Sequence, residues 1–222
     1  PKVRSPDVTI AHRTSSFSPR SAEFTAPRRR ATVIVAMGRA FVVHAESLLV
    51  RGYQTAPTAR ATEAGQPTGA LFIATRAIRR ALAFKEPDVA VAVFDAEAPY
   101  ADWDDMLVAQ REPLHEILRA HGIAVVSAPA PQHVVAGYTA AALAAGHDVV
   151  VVGSDKRLAQ LVSDEVWWYD AYKDVRYTPE LVRKRFEVGP SQVAGWLALV
   201  GDDDALAGVK GIGKKGPTDL VA

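Results

Sequence analysis

The sequence predicts a doubly wound, mostly parallel α/β sheet followed by a small helical module. Short runs of apolar, largely β-branched residues recur along the chain. They are apolar throughout rather than alternating, which is the pattern of strands covered on both faces. Between them lie stretches with apolar residues at helical spacing, and strand–helix alternation marks a parallel sheet wrapped by helices. From Thr178 onward no strong strand pattern occurs, so the last part is expected to be helical.

Taken in order, strands are expected at 32–35, 89–94 (Val-Ala-Val-Ala-Val-Phe), 123–126, 149–152 and 166–169 (Val-Trp-Trp-Tyr). The stretch 69–85 reads as a helix with Leu71, Ile78 and Leu82 on one side and Arg76, Arg79 and Arg80 on another. Helices are also expected at 113–121, from Leu114, Ile117 and Leu118, and at the Ala-rich 134–145. Short helices follow at 179–186, at 190–200 and after 215, the last two flanking Gly208-Val-Lys-Gly-Ile-Gly-Lys-Lys215. The expected organisation is a basic extended arm over 1–30, an α/β domain over 31–177 and a helical module over 178–222. Ligands of such sheets bind beyond the carboxyl ends of the strands.

Composition excludes several classes of chemistry. At 222 residues the chain can bury one good-sized core. It has no cysteine, which removes disulfides, thiolate metal sites and cysteine nucleophiles. No apolar run reaches the roughly 20 residues of a membrane helix, so no membrane partner is expected. There is no Gly-x-Ser-x-Gly and no Walker-type phosphate loop, and the six histidines are scattered rather than set at metal-ligand spacing. No small-molecule substrate and no cofactor is expected.

The net charge of +1 is unevenly spread, since residues 1–30 hold seven basic and two acidic side chains. The arm is therefore +5 and the remainder −4. Its Arg-rich, Ser-rich, acid-poor composition is that of an organellar transit peptide, which points to the mitochondrial matrix. A first residue that is Pro fits removal of a leader or a start further upstream. Such a segment has too little apolar surface to order itself. It is expected to lie on RNA or on neighbouring proteins, with Arg28, Arg29 and Arg30 as contacts.

Four segments in matching order carry a resemblance. They are Gly65-Gln-Pro-Thr-Gly-Ala70 before a helix, Glu86-Pro-Asp-Val-Ala-Val-Ala-Val-Phe-Asp-Ala96, Gly153-Ser-Asp-Lys-Arg-Leu-Ala-Gln-Leu-Val162, and Gln192 through Gly201-Asp202 to Gly208-Val-Lys-Gly-Ile-Gly213. Together they resemble the 5′→3′ exonuclease and flap endonuclease family, of the type found in bacterial DNA polymerase I. The resemblance implies a PIN-like fold with a C-terminal helix–hairpin–helix. It also implies cleavage of phosphodiesters by two divalent metals held in a ring of carboxylates, because hard ions need anionic oxygen ligands.

The chain departs from that ring. The resemblance places the first-strand aspartate at Ala36 or Met37. Asp95, Asp155 and Asp202 are kept, with Asp203 or Asp204 standing for the partner of Asp202. A glutamate and two aspartates should fall near 132–135, yet no carboxylate occurs anywhere in 123–147. The second aspartate of the Asp155 motif is Arg157, a permanent cation expected to pair with Asp155 or Asp202. The segment 102–110 is acidic where the family carries a basic arch. The expectation is no catalytic residue and no metal, with Asp95, Asp155, Asp202 and Asp204 as remnants around Arg157.

Binding is expected at 208–215, where Lys210, Gly211, Gly213, Lys214 and Lys215 suit a phosphate against backbone N–H groups. A purely structural hairpin with solvated lysines is the alternative. Arg76, Arg79 and Arg80 suit either an RNA backbone or a solvated helix face. Trp167, Trp168 and Tyr169 suit either base stacking or alternating core and interface burial. The expected function is a catalytically inactive member of the family, acting as a structural or RNA-binding subunit of a large ribonucleoprotein, a mitochondrial ribosome. The alternatives are a free DNA- or RNA-binding factor using the hairpin, and a residual metal-dependent nuclease.

Overall fold

A computed structural model of the chain describes residues 38–55, 60–84, 86–96, 104–202, 206–211 and 220. The expected strand at 32–35, the arm with Arg28, Arg29 and Arg30, the positions Ala36, Met37, Asp203, Asp204, Gly213, Lys214 and Lys215, and the start of the 102–110 segment lie outside the described residues.

The described elements run β1 (Arg39–His44), α1 (Ala45–Thr55), α2 (Gly69–Phe84), β2 (Val89–Asp95), α3 (Asp105–Val108), α4 (Arg111–Ala120), β3 (Ala124–Ala128), α5 (Pro131–Ala144), β4 (Asp148–Val152), β5 (Val166–Asp170), β6 (Val175–Tyr177), α6 (Pro179–Phe186) and α7 (Val193–Val200). They form a six-stranded sheet in the order β3-β2-β1-β4-β5-β6. Every pairing is parallel except that of β5 with β6. This is the mostly parallel α/β sheet that the apolar strands predict.

Each strand separates two cores. Phe41, Val43, Phe94, Val150 and Val152 meet Leu48 and Leu49 of α1, Ala74 and Ile78 of α2, and Leu114 and Leu118 of α4 on one face. Ala40, Val42, Val149, Val151 and Trp168 meet Val135 of α5, Val182 and Phe186 of α6, and Val193 and Leu197 of α7 on the other. The C-terminal helices α6 and α7 thus pack onto the sheet itself.

Four elements are not expected from the sequence: β1, α1, the short α3 and β6. Strand β1 carries the apolar run Ala40-Phe41-Val42-Val43, as long as the run at 32–35, and five of its six residues are buried. Its central place, between β2 and β4, covers this strand-forming run on both sides within the sheet. Helix α1 follows it directly. Strand β6 is three residues long with Arg176 at its middle, and it forms because a turn closed by Asp174 at φ 55° returns the chain alongside β5.

The Val-Trp-Trp-Tyr strand shows why neighbouring tryptophans can have opposite environments. Trp168 is fully buried, stacks on Tyr177 with ring centres 4.4 Å apart, and donates from Nε1 to the Gly153 carbonyl at 2.9 Å. Trp167 points to the other face, where the guanidinium carbon of Arg176 lies 3.2 Å from its ring centre. Truncation of Trp168 to Ala is expected to lower stability by about 3–5 kcal/mol. Trp167→Ala should cost distinctly less. Urea unfolding of both variants checks this, and equal losses would contradict the assignment of faces.

Candidate functional site

The strand order reverses direction at β1. The chain leaves it toward β2 and β3, then returns to its other side with β4. Crevices of α/β sheets open at such a switch, beyond the carboxyl ends of the strands. Here those ends carry His44 on β1, Asp95 on β2, and the Gly153-Ser154-Asp155 turn after β4.

The β4 turn fits closely against β1. A Cβ on Gly153 would stand 2.7 Å from Leu158 Cδ1 and 3.2 Å from His44 Cβ, so only glycine lets the two strand ends meet. The Ser47 hydroxyl donates to the His44 carbonyl at 2.8 Å and accepts from Ser154 N–H at 3.0 Å, tying α1 to the turn.

Asp155 then caps a 3-10 turn, Lys156–Leu161. Its carboxylate accepts from Arg157 N–H at 2.8 Å and from Arg157 Nε at 3.0 and 2.9 Å, with Arg157 Nη2 2.8 Å away. Arg157 also faces Asp202, with Nε 3.6 Å from Oδ2. Lys156 Nζ lies 3.0 Å from the other Asp202 oxygen. The expected pairing of Arg157 with one of these acids is therefore found with both.

A second pairing, invisible in the sequence, secures Asp95. Glu46, at the start of α1, accepts the Asp95 N–H at 2.8 Å. Arg111, at the start of α4, donates from Nε to Glu46 at 3.1 Å and from Nη2 to the Asp95 carbonyl at 2.6 Å. Glu46 and Arg111 are 65 residues apart, so no local pattern announces them. Burial pushes the Glu46 carboxyl up, against the opposing pull of the Asp95 N–H and of Arg111.

His44 is a residue that sequence reasoning does not single out. The first-strand position was expected at Ala36 or Met37, but β1 ends at His44, within electrostatic reach of Asp155, Arg157 and Asp95. It is 4% exposed, and both ring nitrogens lack a hydrogen-bond partner among the described residues. Burial, seconded by Arg157, lowers its pKa against the pull of the two aspartates.

These residues do not fit a pair of hard divalent ions. Asp155 and Asp202 are engaged by fixed cations, β1 ends on a buried imidazole and not on a carboxylate, and α5 opens with Pro131, Gln132, His133 and Val134. No three His, Asp or Glu side chains converge in metal-binding geometry among the described residues. A metal pair needs several anionic oxygens around a shared centre.

Of the expected phosphate-binding segment, the start is visible. Asp202 and Leu206 exchange backbone hydrogen bonds at 2.8 and 3.0 Å, and Val209 N–H donates to the Leu199 carbonyl at 2.9 Å. A Cβ on Gly208 would collide with the Val200 carbonyl. Lys210 and Gly211 are exposed, and Gly211 has φ +91°. The rest of the hairpin, and with it the helix–hairpin–helix, lies outside the described residues.

The orphaned imidazole makes a pH prediction. A folded pKa below 6.5 means that the native state binds fewer protons than the unfolded state as pH falls from 6.5 to the folded value. Stability is therefore present above pH 6.5 and lost on acidification, by about 1.4 kcal/mol per pH unit over that window. His115, also lowered by burial, adds the same sign, and Glu46 the opposite one. Both are common to wild type and His44→Gln, so the difference between their urea-unfolding profiles isolates His44. The wild type should lose its relative stability below pH 6.5, and parallel profiles would contradict the buried neutral assignment.

Comparison with known proteins places this site in a lineage. Residues 39–187 match the family described as the 5′-3′ exonuclease, N-terminal resolvase-like domain, and the match begins at the first residue of β1. A 5′-3′ exonuclease of Aquifex aeolicus is 31% identical over 191 residues, covering 79% of this chain and 66% of that protein. DNA polymerase I of Pseudomonas aeruginosa is 32% identical over 192 residues, covering 78% of this chain but only 21% of the polymerase. The chain thus spans slightly under two thirds of the first relative and about a fifth of the second. The fold agrees with that of T5 5′-exonuclease solved with zinc ions bound, at a TM-score of 0.60 and 16% identity over 82% of this chain and 74% of that one. With the sheet and the sequence match in agreement, the chain belongs to the 5′-3′ exonuclease family through its N-terminal resolvase-like domain.

Proposed function

We propose that this chain is a nuclease-fold protein whose cleavage centre has become an internal ion-pair scaffold, and that it serves as a structural, RNA-binding subunit of a large ribonucleoprotein. The observation that carries the loss of cleavage is Arg157, held between Asp155 and Asp202. A guanidinium can balance carboxylates, but it cannot lower the pKa of a bound water or supply a hydroxide. His44 and the carboxylate-free start of α5 support the same reading.

The assembly is inferred from composition. An arm of net +5 before a domain of net −4 suits a polyanion, and its transit-like character suits a mitochondrial ribosome in the matrix. The exposed Lys210 beside Gly211 adds a cation at the head of the hairpin. A second reading, a residual nuclease, is favoured by the survival of Asp95, Asp155 and Asp202 and by the nuclease names of the relatives.

Cleavage assays separate the two. Purified chain incubated with a labelled 5′-flap DNA and Mg²⁺ or Mn²⁺ is expected to give no product above a protein-free control. Metal-dependent product that disappears in Asp155→Asn would establish the residual nuclease. Gradient sedimentation of cell extracts tests the assembly: the chain should travel with a particle far larger than itself.

A further inference from the structure

The outward face of α2 carries a feature that the strand-end site does not use. The sixteen residues of α2 hold Arg76, Arg79 and Arg80 and no acidic side chain. Solvated helix faces commonly interleave opposite charges three and four residues apart; this one has a single sign. Arg80 is engaged, donating to the Ala171 carbonyl at 3.4 Å and lying 3.9 Å from Asp174. Arg76 and Arg79 are exposed and make no ion pair among the described residues.

Phe72 precedes them on the same stripe, at the four- and seven-residue spacing that aligns side chains on a helix. Its ring is 37% exposed, an uncommon placement for a phenylalanine on a helix whose buried side already holds Ala70, Ala74, Ala77, Ile78 and Ala81. The guanidinium carbon of Arg60 lies 3.9 Å from the ring centre and that of Arg76 lies 5.8 Å from it. Arg60 is also exposed and without an ion pair among the described residues. A part-exposed aromatic ring thus carries the Arg60 guanidinium over one face, with Arg76 further off and Arg79 three residues beyond it, about 4.5 Å along the axis.

Exposed cations in a row ask for a polyanion, and the net −4 of the chain beyond residue 30 makes the positive stripe a local feature rather than part of a general field. The aromatic ring narrows the choice. A base can stack on it only when unpaired, and a groove that alternates stacking surface with phosphate-binding cations is the mode by which single strands are held without sequence preference. An acidic protein segment would meet the cations alone.

We propose that Arg60, Phe72, Arg76 and Arg79 form a binding track for a single-stranded polynucleotide along α2. The track rests on the reading of this chain as a polynucleotide-binding protein and names a surface for it, separate from the hairpin at 208–215. It does not depend on whether the strand-end site cleaves.

Fluorescence anisotropy with labelled 15-residue oligouridine and oligodeoxythymidine tests it on the full chain. Phe72→Ala should weaken binding about 5- to 150-fold with little change in salt dependence, the range for loss of one stacked base. Arg76→Gln with Arg79→Gln should weaken it and reduce the slope of log affinity against log salt by about 1.4, the value for two phosphate contacts on a single strand. Tighter binding of the RNA, or equal binding of both oligonucleotides, supports the track and tells whether the 2′-hydroxyl is read. If these variants bind as wild type while Lys210→Glu does not, the track is wrong and the RNA-binding reading stands. If polyglutamate competes as well as the oligonucleotides, the surface is a protein-binding one and the proposal falls. If wild type binds neither oligonucleotide, both fall together.

Discussion

The structure of the strand-end site depends on one constraint: acids gathered at the carboxyl ends of parallel strands must be balanced by positive charge. Here the chain supplies that charge itself. Arg157 chelates Asp155 and reaches Asp202, Lys156 takes the other Asp202 oxygen, and Arg111 is locked to Glu46 beside Asp95. Breaking a partly buried pair by removing one member leaves an uncompensated charge that costs more than the pair itself contributes. Asp155 and Asp202 are thereby bound to cations of the chain, while Asp95 is held through its backbone by Glu46 and Arg111.

Geometry makes this balance local. The switch in strand order puts β1 and β4 side by side, Gly153 lets their ends touch, and Ser47 fastens α1 to the turn that bears Asp155. Asp202 arrives from the far end of the chain because α7 packs against the Lys156–Leu161 turn and Gly208 allows the returning backbone to lie against Val200. The Arg157–Asp202 contact therefore joins segments that the sequence alone would assign to different modules. His44 sits at the centre of this arrangement as a neutral, buried ring.

How much of this the sequence reveals follows from range. Strands β2, β4 and β5 are readable because each is a run of apolar residues long enough to dominate its own neighbourhood, and α2 is readable from its spacing. Strand β1 holds four apolar residues, Ala40–Val43, and is as legible locally as 123–126; the similar run at 32–35 draws the expected first strand upstream of it. That reading sets the first-strand site position at Ala36 or Met37, outside the described residues, whereas the first described strand ends at His44. Arg157 was legible because it stands two residues from Asp155 within a segment that resembles the family. Glu46 and Arg111 were not, since nothing local relates residues 65 apart. The alternation of Trp167 and Trp168 follows from strand geometry, but which of the two stacks on Tyr177 needs the packing of β6.

The central claim is that cations of the chain, not bound metal, balance these acids. Electron paramagnetic resonance of Mn²⁺ titrated into the purified chain tests it most directly, because free and protein-bound Mn²⁺ give separate signals. The account predicts that Mn²⁺ at millimolar concentration stays free, and that Arg157→Asp creates new binding. Two Mn²⁺ ions bound to the wild type with mutual spin coupling, and lost in Asp155→Asn, would contradict it.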